Sequence, residues 1–279
     1  MMECKKKNNR IIGLPCCFRS SGFHLAGKNN TVEFGRNVSI ENCKIKVYGN
    51  ASLKLGDNIC LSGCSIVIRD SEVTIGSDSE ALNTTITAVE NSRMEIGPRS
   101  ALTGEFDMRN KGVITAKRLW CTWPPLIAAN NGSIIFGDSG TADSIIYNSD
   151  FHPLYDFEGN LLNPNKDVII GDHVWIGRKC FILKGAVLGE GCVLAGGSVV
   201  SKEIPPHAVA AGYPARIVNH DVVWAVDKTP EVEAMFPITA EKTPDFYAKA
   251  YKFSPSLKPG KGCRLPIWFR FKLSLLRSK

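Results

Sequence analysis

His152 is the residue of this sequence best suited to moving a proton. It stands in the run Ser149-Asp150-Phe151-His152-Pro153, and an imidazole changes charge near neutral pH. Such a ring can take the proton of a hydroxyl group as that oxygen attacks a carbonyl, assistance worth about 10²–10⁴-fold in rate. Asp150 could fix the ring's tautomer, cap the loop or face a hydroxyl of an acceptor, and its spacing leaves all three open. Gly196-Gly197-Ser198 would let a ligand approach the backbone closely. The five histidines, at 24, 152, 173, 207 and 220, form no trio with metal-ligand spacing, and no paired CxxC motif is present. No metal is therefore expected.

These side chains need rigid elements to position them, and the stretch from Ile170 to Ile204 supplies the pattern. Ile170, Ile176, Ile182, Leu188, Leu194 and Val200 recur every six residues, with Val174, Cys180, Ala186, Cys192, Ser198 and Ile204 four places later. A period of six fits neither a helix nor an isolated strand, so the unit is an internal repeat. A short extended run that turns a third of a circle every six residues closes a triangular coil after about eighteen, and successive coils stack about 4.8 Å apart. Leu188 then lies above Ile170 and Cys192 above Val174. The lead aliphatics point inward, small residues occupy the corners, and Gly171, Gly177 and Gly189 are expected to supply the backbone angles of the turns. Trp175, at the last position of a hexad, must leave the prism and needs a partner there.

A coarser rhythm precedes these coils. Phe34-Gly35, Leu55-Gly56, Ile75-Gly76, Ile96-Gly97 and Phe136-Gly137 place glycines 21, 20, 21 and 40 residues apart, with Thr115-Ala116 near the missing mark. Trp120, Trp123 and Pro124-Pro125 interrupt the pattern; these aromatics could line a cleft or plug a coil defect. The next glycine step lengthens to 34, which predicts a loop excursion over 138–168 carrying His152. Residues 1–30 lack the repeat and read as an N-terminal arm or cap, 31–218 as the β-helix domain, and 219–279 as a basic C-terminal extension. A short helix could open in that extension at Asp221–Val226 and Val232–Met235.

The run Val168-Ile-Ile-Gly-Asp-His-Val-Trp-Ile-Gly177, followed by Gly185-Ala-Val-Leu-Gly-Glu-Gly191, Ser201-Lys202, Ile204-Pro-Pro206 and Ala211-Gly-Tyr-Pro-Ala-Arg216, closely resembles the left-handed β-helix hexapeptide-repeat acetyltransferases. The Asp-Phe-His-Pro-Leu-Tyr-Asp loop looks most like their capsule-modifying branch. This resemblance implies an all-β left-handed parallel β-helix, homotrimeric, that transfers an acetyl group from acetyl-CoA to a sugar hydroxyl. It implies that His152 is the catalytic base, that Trp175 walls the acetyl-CoA slot, and that Gly196 and Gly197 meet the pantetheine amides. Ser201, Lys202 and Arg216 match positions that contact the adenosine phosphates. A second basic residue common a few positions after that arginine is missing, since Asn219 and His220 lie there. The competing readings are a β-helix that binds without chemistry, transfer to an amino sugar, and a metal hydratase like the γ-class carbonic anhydrases, for which His173 alone is too few ligands.

Composition sets outer bounds. The chain has 279 residues, 44% hydrophobic and 22% charged, and no apolar run approaches the roughly 18 residues that span a bilayer. The basic amino terminus is followed by too short and polar a stretch to serve as an export signal, so a cytoplasmic location is expected. Of the ten cysteines, Cys180 and Cys192 in small-residue slots and Cys60 and Cys64 in a stretch of similar pattern read as reduced core thiols, whereas Cys4, Cys16 and Cys17 lie outside the repeat and are unassigned. The net charge of +7 is concentrated at residues 5–7 and 242–279. Such a tail suits an acidic glycan or the inner membrane surface, and no nucleic-acid partner is expected.

Overall fold

The structure is a computed structural model that describes residues 3–4 and 8–225. Every regular element among them is a strand, and the strands wind into a three-sided left-handed parallel β-helix. Each face is a column of in-register strands. On the first, Phe34, Leu55, Ile75, Ile96, Ala116, Phe136, Ile170, Leu188 and Ile204 lie directly above one another. Ala116 thus fills the step at which the glycine rhythm skips. On the second face Gly140 sits beneath Trp175 and Ile176 beneath Leu194 and Ala210, and on the third Ile146, Ile182 and Val200 are stacked.

Burial explains why six is the period. The lead aliphatics from Ile170 to Val200 are at most 2% exposed, and the corner residues Val174, Cys180, Ala186, Cys192 and Ser198 are fully buried. A large side chain in a corner would clash with the coil above, whereas the flat faces take branched residues suited to strands. The repeat changes at its end. Ile204 pairs with Leu188 and so occupies a lead position rather than the corner expected of it, because the turn through Ser201-Lys202 is two residues shorter than the others. Val209–Gly212 and Ala215–Asn219 then close the prism as an antiparallel hairpin.

The turn glycines at 171, 177 and 189 act through space and not through φ, contrary to the sequence expectation. Gly177 has no left-handed backbone angle, but a Cβ there would stand 2.6 Å from the Leu194 carbonyl oxygen of the next coil. The left-handed angles fall one or two residues later, at His173, Lys179, Gly185, Gly191, Gly197 and His207. In the earlier coils asparagine holds this place repeatedly, at Asn37 and Asn58 among others, because its short polar side chain tolerates that region.

Two boundaries and one element differ from the sequence reading. Arg10–Ile12, Cys17–Arg19 and Gly22–Ala26 already form a coil beneath Thr31–Phe34, so winding begins before residue 31. Its exposed side chains and missing aliphatic-glycine signature hid it. Ser133–Ala142 and Ile145–Tyr147 stay in the prism, which confines the excursion to 148–167. Residues 221–225 are not helical, and the rest of the proposed extension lies outside the described residues.

The two cysteines of the regular coils follow the corner logic. Cys180 and Cys192 are free and buried, and burial pushes the Cys192 thiol up to about 12. Cys60, however, is disulfide-bonded. It occupies an outward position of Cys60–Ser62, where only the middle residue is buried, so it is not the core thiol that its repeat-like setting suggested.

Candidate active site

The excursion leaves the prism at the edge between the third and first faces, after Tyr147, and returns at Val168. Asparagines bind its root to the coil below. The fully buried Asn148 accepts the Asn130 N–H through Oδ1 at 2.8 Å, and Asn165 Nδ2 donates to the Asn130 carbonyl at 2.7 Å. Asp167 accepts the Ser133 N–H at 2.7 Å. Such bonds satisfy backbone groups that a long loop would otherwise leave unpaired.

His152 sits at the first bend and its side chain is exposed. Ser149 Oγ accepts the Phe151 N–H at 2.9 Å, and the His152 N–H donates to the Asp150 carbonyl at 2.8 Å. Phe151 is held at φ +61°, an uncommon angle for a bulky residue, and its ring meets Tyr147 edge-on with centroids 5.3 Å apart. A chain forced to bend this sharply projects its next side chain, His152, into solvent.

The Asp150 carboxylate makes no hydrogen bond to the imidazole. It accepts from Lys184 Nζ and, at 2.8 Å, from Asn163 Nδ2. The Lys184 hydrogen bond is the main reason its carboxyl is held below the usual carboxylate range. Asn163 Nδ2 also donates to the His152 carbonyl at 2.9 Å, its Oδ1 accepts the Leu154 N–H at 2.6 Å, and Lys184 Nζ donates to the Asn163 carbonyl at 3.1 Å. Sequence reasoning missed both partners. Lys184 occupies the same hexad position as Asp172, Arg178, Glu190 and Lys202, all polar, so nothing in the pattern sets it apart.

The other selected residues fall into two groups. Ser201 and Lys202 form the exposed turn above Lys184, on the edge that carries the His152 loop. Trp175 lies on the second face, opposite that edge, and is 48% exposed. Its ring is 5.7 Å from that of Trp224, which also lies 6.0 Å from Trp120 and stacks on His173 at 4.2 Å. Trp120 thus packs on the outer face over Gly140, while Trp123 lies under the Arg178 guanidinium at 4.3 Å. Arg216 is exposed on the closing hairpin, opposite Ala211 in the extension of the second face. Gly196 and Gly197 occupy the edge between the second and third faces. The Gly197 N–H is used within the prism, donating to the Arg178 carbonyl at 2.9 Å, so it is not a donor for a ligand amide. A groove of about 550 Å³ runs along that edge, lined by Thr85, Glu105, Pro124, Leu126, Lys179 and Phe181 and by none of the catalytic or donor-binding residues expected from sequence. Among the described residues no three His, Cys, Asp or Glu side chains converge as metal ligands.

Residues 167–202 match the family described as bacterial transferase hexapeptide (six repeats). A polysialic acid O-acetyltransferase of Neisseria meningitidis is 30% identical over 183 residues, which are 64% of this chain and 67% of that protein. The chain belongs to the hexapeptide-repeat acetyltransferase family. A polysialic acid O-acetyltransferase of Escherichia coli O1:K1 is also 30% identical, over 141 residues, but the match spans only 40% of that protein and 50% of this chain. The crystal structure of the polySia specific acetyltransferase NeuO superposes with a TM-score of 0.53 at 24% identity, covering 88% of this chain and 94% of that one. Within a hexapeptide-repeat acetyltransferase, the regular coils are the rigid body and the excursion at 148–167 is the element that differs from them. That element carries His152.

Proposed function

We propose that this protein is an acetyl-CoA-dependent O-acetyltransferase whose acceptor is a sugar hydroxyl of an acidic glycan. The observation that carries the reading is the exposed imidazole of His152, projected by a braced loop from the edge of a hexapeptide prism. Family membership and the names of the polysialic acid relatives support the substrate class. In the reaction, the acceptor oxygen bonds to the thioester carbonyl carbon while His152 takes its proton. The carbon–sulfur bond then breaks, and the imidazolium returns the proton to the departing thiolate.

Two further readings belong to this proposal. Trp175 and Arg216 lie on the face opposite His152, so a slot walled by both requires His152 from one chain and Trp175 from its neighbour, as in a homotrimer built by rotation. Lys202 and Arg216 would meet the phosphates of the donor. We further propose a cytoplasmic location, with the basic segment 242–279 drawn to the inner membrane surface or to the acidic acceptor.

The test is release of free thiol from acetyl-CoA with a panel of acceptors that includes polysialic acid and neutral glycans. The expected outcome is acceptor-dependent release that falls about 10²–10⁴-fold in His152→Ala, with the fold intact by circular dichroism. Release that is equal in both proteins, or absent with every acceptor, would leave a binding scaffold as the better description.

A further inference from the structure

We infer that Asn163 and Lys184 are positioning residues for His152, and that Asp150 acts as the anchor on which they converge. This inference rests on the reading of His152 as the base. The loop has two limbs, and only backbone and side-chain bonds between them can define where the imidazole stands. Asn163, on the returning limb, reaches across to the outgoing limb three times. It donates to the His152 carbonyl at 2.9 Å and to the Asp150 carboxylate at 2.8 Å, and it accepts the Leu154 N–H at 2.6 Å. These bonds bracket His152 on both sides in sequence. Leu162 N–H to the Leu154 carbonyl, at 2.8 Å, is the backbone rung beside them.

Bracing the limbs to each other would still let the loop swing as a body. Lys184 prevents this. It belongs to the turn after Phe181–Ile182, in the coil above the loop's root, and its ammonium donates to both the Asp150 carboxylate and the Asn163 carbonyl. The Lys184 side chain is 20% exposed against 47% for Asp150, so the ammonium is the more enclosed partner. Its bond to a carboxylate that also accepts from an amide is charge-assisted and directional. Beyond its asparagine-bound root, the loop is therefore gripped by the prism through Lys184, and it grips the backbone of His152 through Asn163. Reacting groups need placement within about 0.5 Å of the productive geometry, which a loop held by backbone bonds alone does not provide.

Asn163→Ala, Lys184→Met and Lys184→Arg are to be compared with wild type and His152→Ala, in steady-state turnover and in hydrogen exchange of 148–167. The expected result is a kcat reduced about 10–100-fold in the first two, with KM for acetyl-CoA within about twofold, since a displaced base loses transition-state stabilisation and not donor binding. Lys184→Arg is expected to retain turnover within about threefold, because it keeps a charge-assisted bond to Asp150. The double variant Asn163→Ala/Lys184→Met should be no worse than the weaker single, as the two act as one unit. Amide exchange in 148–167 should rise in both while 187–204 is unchanged. Wild-type kcat or unchanged loop exchange in Asn163→Ala and Lys184→Met, with His152→Ala inactive, would overturn the positioning role while leaving the base intact. Full turnover in His152→Ala would instead remove the functional reading beneath it.

Discussion

At the residue scale, two histidines show how surroundings decide use. His152 is exposed, and its backbone is bracketed by Asn163. His173 is buried at a turn with φ +54°, stacked on Trp224, with Nε2 3.0 Å from the Trp224 carbonyl and its own carbonyl accepting Trp224 Nε1–H at 2.8 Å. Burial is the largest influence on the His173 ring and lowers its pKa, opposed by the bond to the Trp224 carbonyl. The folded protein thus refuses a proton that the unfolded chain accepts near pH 6.5. The stabilising contribution is present above about pH 6.5 and is lost as pH falls through the lowered folded value. His173→Asn, which tolerates the same backbone angle, should flatten that part of the urea midpoint against pH. An unchanged slope in the variant would show that other groups cause the acid sensitivity.

At the element scale, the coil turns contain two kinds of glycine that only space can tell apart. Gly177 has the next coil against it, so Gly177→Ala should cost about 1–3 kcal/mol through forced separation of the stack, and Gly177→Asn at least as much. Gly197 has open space beyond its Cα but stands at φ +77°, so Gly197→Ala should cost about 1–2 kcal/mol through backbone strain. Gly197→Asn should largely relieve it, as asparagine does at equivalent turns elsewhere in this chain. Chemical denaturation of the four variants checks this, and equal losses for the two asparagine substitutions would contradict it.

At the scale of the whole molecule, the prism is a stack in which each coil contacts only its neighbours, so damage should remain local. Phe106 is among the largest fully buried side chains. Phe106→Ala is expected to cost about 3–5 kcal/mol, with hydrogen-exchange protection falling first in the coils on either side of residue 106 and last across 170–204. A uniform fall along the chain would mean that the prism unfolds as one unit.

Sequence alone determined the winding, because a period of six has one physical solution when lead aliphatics must be buried and corners must be small. That is why Ile170 to Val200 and the column from Phe34 to Phe136 were legible, and why the motif around His152 pointed to a loop outside the coils. The coil at residues 10–26 was hidden because it exposes much of its surface and so keeps little of that pattern. The partners of Asp150 were equally hidden, since Lys184 is one polar turn residue among several and Asn163 lies thirteen residues away across a loop. Only the folded chain brings them to one edge and sends Trp175 to the opposite face, because periodicity records which side chains point inward and carries no record of what meets outside the prism.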